Sequence, residues 1–277
     1  MFRNILVHLP SERPVRPVID VAIALSVARR SHLDAVAVGY ESMGTIGMMV
    51  DGGGAAVAAV IGDEQGRALV RANAALSAFE IEAKLAKIAY GVRSFAAVPA
   101  EAGEAIGTLA RLYDMTIVLQ PESSSASYDN YIPQEVLFNS GGPMLMVPYI
   151  HHGPLDAQHV GIAWDGSRLA ARAWRDALPF LMGAKAVTVI AVNEQASEAS
   201  SDRLVSHLTR RGIAARVQRL TAGRGNVQGA ILSIAAESNM GLLVMGGYGH
   251  SRLHERILGG VTRSMFDAMT VPVLMSH

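Results

Sequence analysis

Short runs rich in branched apolar residues alternate with segments of helical period along this chain, and the series is written twice. In the first 150 residues the runs at 4–9, 34–39, 92–98, 115–120 and 144–147 read as strands, and helical periodicity covers 18–30, 65–89 and 102–113. Residues 121–143 read as a loop. The series restarts with strands at 159–164, 187–193, 214–220, 242–245 and 271–275, and with helices at 169–181, 202–211, 227–237 and near 262–268. Strands that alternate with helices imply βαβ units and a parallel sheet. The expected fold class is α/β, as two tandem Rossmann-like domains of residues 1–150 and 151–277. Each has an open five-stranded parallel sheet, and the two pack about a pseudo-two-fold axis. The junction falls near His151-His152-Gly153-Pro154.

Laid side by side, Pro10 falls on Asp165, Gly39 on Val192, Gln120 on Gly246 and Pro143 on Pro272. The spacing between copies shortens by 27 between the second and third of these pairs, so the first half carries extra chain, and the Gly- and Met-rich residues 42–62 are its natural place. The methionines at 43–49 read as a lid over apolar surface. Each closing strand would leave an exposed apolar edge, which intramolecular pairing of the two domains would bury.

Five glycines lie between Val244 and Met265, directly after the apolar run 242–245. In an open parallel sheet, ligands sit at the carboxyl ends of the strands, where strand order reverses. Asp165 and Gly246 both stand at such ends, and Met245, just before Gly246, counts with them among the candidate cofactor-binding residues. Glycine lets the backbone approach a phosphate closely, and a helix opened by Gly259-Gly260 would offer free N–H groups and a positive dipole end to an anion. Residues 246–249 would form one side of the cradle and 259–262 the other, with Arg252 at its rim. Turns and helix caps explain an isolated glycine cluster equally well.

The chain resembles the universal stress protein family in its tandem form over essentially its whole length. The resemblance is carried by Gly246, Gly249 and Gly259 in the spacing Gly-x2-Gly-x9-Gly, by Val261-Thr262 after it, by Asp165-Gly166-Ser167 at the end of a first strand, and by the final Val271-Pro-Val-Leu-Met. It implies a stress-response protein that binds ATP or a related adenine nucleotide. Asp165 and the backbone at Val192 would meet adenine and ribose, and Gly246, Gly249, Gly259, Val261 and Thr262 the phosphates. Gly260 stands where the family has a Ser or Thr hydroxyl, which removes one hydrogen bond of about 1 kcal/mol. Single-domain relatives use the closing strand to dimerise, so a homodimer is a further possible assembly. In the first half Pro10, Gly39 and Gln120-Pro-Glu-Ser-Ser-Ser replace the motif, and Glu122 would face any phosphate. That half reads as a degenerate domain that keeps the fold and lacks the site, with Ser140-Gly141-Gly142 a remnant or a helix C-terminal glycine.

Other functions fit poorly. Lys plus Arg and Asp plus Glu are 24 each, so no basic field exists to hold nucleic acid. The apolar segment 52–62 is bounded by Asp51 and Asp63 and is too short to span a membrane; with no leader pattern, the chain reads as cytoplasmic. The absence of cysteine excludes disulfides, thiol catalysis and Cys-ligated zinc. There is no Gly-x4-Gly-Lys-Ser/Thr, and Arg252 stands where a dinucleotide fingerprint needs its third glycine. His250 and His254 have a metal-ligand spacing but fall in a loop, where a solvated or phosphate-facing pair fits better than a metal site. Nothing in the spacing sets a nucleophile or second carboxylate beside Asp165, so the expectation is a non-enzymatic module, at most a slow ATPase. The alternative is a nucleotide-free scaffold or chaperone-like interaction protein.

Overall fold

A computed structural model describes residues 2–41, 54–223, 226–247 and 261–277. Strands β1 (Asn4–Leu9), β2 (His32–Tyr40), β3 (Tyr90–Ala97), β4 (Met115–Leu119) and β5 (Met144–Val147) come from the first half. Strands β6 (His159–Ala163), β7 (Ala186–Val192), β8 (Ala215–Leu220), β9 (Leu242–Gly246) and β10 (Val273–Ser276) come from the second. All ten form one sheet in the order β3-β2-β1-β4-β5-β10-β9-β6-β7-β8. Pairing is parallel within each half and antiparallel at the seam, where Leu145 lies opposite Leu274, with Met146 opposite Val273 and Met144 opposite Met275. The pairing is symmetric about the Leu145 and Leu274 pair, so a two-fold relation runs through it.

The strands were legible because helices cover both faces of the sheet, so each strand near the middle is mostly apolar on both faces rather than alternating. Every residue of β4 and β5 is buried. Successive side chains still point to opposite faces: Ile5, Val7 and Leu9 enter one core cluster and Leu6 the other. The first cluster gathers Phe79, Trp174, Phe180 and Leu208, and the second Ile106, Val136, Ile234 and Phe266. Leu145 and Leu274 share the first cluster, whereas Met144, Met146, Val273 and Met275 share the second, so both cores run unbroken across the seam.

The helices are α1 (Arg16–Arg29), α2 (Gly54–Ala86), α3 (Pro99–Ala110), α4 (Ile132–Asn139), α5 (Arg168–Asp176), α6 (Leu178–Leu181), α7 (Ser201–Arg210), α8 (Val227–Glu237) and α9 (Val261–Ala268). Three differ from the sequence expectation. The loop over 121–143 contains a 3-10 turn at Tyr128–Tyr131 and then α4, which starts with Pro133 in its first turn and buries Ile132, Val136 and Leu137 on one side. The expected insertion is partly helix: residues 54–62 are the first turns of the 33-residue α2, while 42–53, including the methionines at 43–49, lie outside the described residues. The helix over 169–181 is two, α5 and α6, divided at Ala177 because Pro179 has no N–H to continue the ladder.

Strand register also corrects the alignment of the halves. Leu119 lies opposite Val147 and Gly246 opposite Ser276, and the next amides, Gln120 and Gly247, donate to those partners' carbonyls at 2.8 and 2.9 Å. Gly246 therefore corresponds to Leu119, and Gln120 to Gly247. Carried through to β1 and β6, where His8 lies opposite Val36 and Ala163 opposite Ile190, the register sets Val38 in the place of Val192. The first half thus retains a valine there, and Gly39 corresponds to Asn193.

Candidate functional site

In the second half the chain runs outward from β6 to β7 and β8, then returns to β9 on the other flank of β6. The reversal point is between β6 and β9, where ligands of open parallel sheets sit. Asp165, Val192 and Gly246 come together at the carboxyl ends of three adjacent strands, β6, β7 and β9. Asp165 is exposed, and its Oδ1 accepts the Ser167 N–H at 2.9 Å. Gly166 supplies a φ of +76°, and the Ser167 Oγ caps α5 by accepting from Ala170 N at 3.1 Å. Asp-Gly-Ser is therefore a strand-to-helix turn in which each residue has a local role and Asp165 faces outward.

Gly246 is fixed by packing as well as by position. A Cβ there would lie 2.7 Å from Ala170 N and 2.9 Å from the Leu169 Cβ, because the first turn of α5 crosses the end of β9. At Gly247 a Cβ would meet the Leu137 Cδ2 of α4 at 2.9 Å. Met245 lies opposite Met275 and is 5% exposed, so its side chain belongs to the core. Gly249, Arg252, Gly259 and Gly260 lie outside the described residues, as do His250 and His254. The backbone of Val261 and Thr262 forms the first turn of α9, which begins directly after Gly260.

A polar groove of about 790 Å³ opens at the ends of β7 and β8, which the sequence does not signal. Asn193, Glu194, Ser200, Asp202, Arg219 and Thr221 are among its lining. Glu194 accepts from Ser201 N at 2.6 Å, the Ser201 hydroxyl at 2.8 Å and Arg219 Nε at 2.8 Å. Burial pushes the Glu194 carboxyl up, but these donors outweigh it and hold it below the usual carboxylate range. The Arg219 guanidinium likewise holds Asp202 down. Among the described residues no cluster of His, Asp or Glu suits a metal ion, and no helix is long and apolar enough to cross a membrane.

The equivalent edge of the first half, at the ends of β4, β1 and β2, is filled by side chains. The chain after β4 folds back, and its 3-10 turn sets Asp129 over the strand ends. Asp129 accepts from Glu12 N and the Tyr40 hydroxyl, both at 3.0 Å. Arg13 donates to Gln120 O at 2.7 Å and Asn130 Oδ1 at 3.0 Å, and pairs with Glu122 at 3.3 Å. Glu122, expected to face a phosphate, is instead an internal counterion. Burial pushes the His8 imidazole down to about 3 and the Asp129 carboxyl and Tyr40 hydroxyl up. Gly141 has a φ of +72° directly after α4 and its cap Ser140, as a helix C-terminal glycine does.

Residues 157–277 match the universal stress protein family. No curated protein matches the chain by sequence. A universal stress protein of Archaeoglobus fulgidus is 18% identical, covers 98% of this chain and 97% of its own, and superposes with a TM-score of 0.70. A Pseudomonas aeruginosa protein provisionally named a universal stress protein is 15% identical over 99% of this chain and 93% of its own, with a TM-score of 0.63. A functionally unknown protein of the same organism gives 16%, 99%, 92% and 0.58. Residues 157–277 thus match the universal stress protein family, and the fold seen in universal stress proteins extends over the whole length of the chain.

Proposed function

We propose that residues 151–277 form a non-enzymatic module that binds one adenine nucleotide of the ATP or AMP type, and that residues 1–150 form a partner domain of the same fold without that site. The observation that carries this reading is the placement of Asp165 after β6 and of Gly246 at the end of β9, on the two sides of the reversal point of the second half. There an exposed carboxylate suits ribose hydroxyls, and α9 begins where a phosphate would meet free N–H groups. The Asp129 and Arg13 network supports the asymmetry, because it occupies the same strand ends in the first half. The test is mass spectrometry of small molecules released from the purified, denatured chain, followed by calorimetry. The expected result is one nucleotide per chain in the wild type and none in Asp165→Ala; two per chain would refute it.

One observation favours a second reading. Gly246 is required by packing against Leu169 and Ala170, and Gly247 lies against the Leu137 side chain, so the presence of Gly246 needs no ligand. A nucleotide-free scaffold or chaperone-like interaction protein would keep it for that reason alone. Protein that carries no released nucleotide and gives no heat with ATP would establish this reading.

A further inference from the structure

The second-half strand ends are bordered by two helices, α5 and α9, and each is tied to the first half. Gln120, 1% exposed, donates from Nε2 to Phe266 O of α9 at 2.9 Å. Ser123 Oγ donates to Asp267 Oδ1 of the same helix at 2.9 Å. Arg172 of α5 donates to the Gly141 carbonyl of the first half and to His277 O at 2.7 Å. Gly247, where the chain leaves β9, lies against Leu137 of α4. The last four carbonyls of a helix have no partner within it, and Phe266 O is one of these in α9, so Gln120 caps α9 from the other half of the molecule. A helix of 8 residues is held in place chiefly by its surroundings. It is about 12 Å long, so a tilt of roughly 5° about one end moves the other by about 1 Å.

We propose that Gln120, supported by Ser123, is a positioning residue for the second-half site. By fixing the C-terminal end of α9 it aims the N–H groups of Val261 and Thr262, so the half that lacks the motif sets the affinity of the half that has it. The claim rests on the nucleotide reading above, and its test separates the two. Gln120→Met keeps an unbranched side chain and removes the donor. Ile106→Val trims an equally buried residue of α3 in the same core and leaves Phe266 O capped. In the full chain without nucleotide, amide exchange in α9 should accelerate about tenfold in Gln120→Met and stay unchanged in Ile106→Val. Titrated with ATP, Gln120→Met should bind about tenfold more weakly and Ile106→Val as the wild type does. Ser123→Ala, at an exposed position, should weaken binding about twofold, and it decides the matter should Gln120→Met fail to fold. Unchanged exchange in α9, or equal weakening by Ile106→Val, overturns the proposal. If the wild type binds no ATP, the nucleotide reading fails, and exchange in α9 alone decides whether Gln120 positions the helix.

Discussion

His8 makes the stability of this protein dependent on pH in a way that one substitution isolates. Its side chain is 2% exposed, with Nε2 3.8 Å from Asp129 Oδ1, and Tyr40, Glu12, Ser127 and Arg13 are among the polar groups around that turn. Burial lowers the imidazole from 6.5 to about 3, so between those values the unfolded chain takes up a proton that the folded chain refuses. The unfolded state binds more protons, and stability therefore falls as pH falls: the His8 contribution is intact above pH 6.5 and declines toward pH 3. At pH 5 the loss is about 2 kcal/mol, from 1.36 kcal/mol for each unit between the pH and the unfolded value. The raised Asp129 carboxyl acts in the opposite sense, since the folded chain binds that proton more readily, so the wild-type profile is a net slope. Urea unfolding of wild type and His8→Gln from pH 7 to pH 5 separates the two, because the variant keeps Asp129 and loses the imidazole. The curves should converge by about 2 kcal/mol as pH falls. Parallel curves would mean that His8 is solvated or protonated in the folded protein and would refute the reasoning.

Four further outcomes rest on packing and on the cradle. Gly246→Ala should lose about 1–3 kcal/mol in denaturant unfolding, since the new methyl lies 2.7 Å from the backbone of α5. Residues 151–277 expressed alone would expose β10, whose pairing with β5 is symmetric about Leu274, so light scattering should find an antiparallel dimer; a stable monomer counts against the seam as an association surface. Gly260→Ser should tighten ATP binding by about 3- to 10-fold through one charge-assisted hydrogen bond, whereas Gly249→Val should weaken it more than it lowers the melting temperature.

The strands were readable because burial on both faces gives each central strand a mostly apolar run, which survives without knowledge of its neighbours. Helix α4 was not, because its 8 residues follow a polar segment and its period is too short to stand out. The start of α2 was hidden for a different reason: residues 54–62 follow a glycine run and are rich in alanine, so they read with 42–53 as one insertion. At the site, Asp165 and Gly246 were visible because each ends a strand and each strand end is marked locally. The groove was invisible because Glu194 and Arg219 meet only when β7 and β8 pair, and neither has a local signature. Gly246 shows the limit from another side. Glycine needed for the close approach of a helix and glycine needed for the close approach of a phosphate are the same residue in a sequence.

Register-equivalent positions then explain why the two halves cannot be exchanged by repairing a motif. Where the second half ends its strands in Ala163, Gly246 and Gly247, the first has His8, Leu119 and Gln120, so small residues stand against large ones at the same places. The large residues are tied together: Arg13 spans Gln120, Asn130 and Glu122, while Asp129 joins Glu12 to Tyr40. Restoring an aspartate by Pro10→Asp would add a fourth carboxylate beside a network that already holds Glu12, Glu122 and Asp129, whose arginine, Arg13, is paired with Glu122. A buried charge without a partner is strongly unfavourable, so that change would destabilise the network before it created a ribose contact. The first half thus holds in covalent form what a ligand would supply to the second, a polar filling for the strand ends, and that filling leaves Gln120 fixed where it can reach α9.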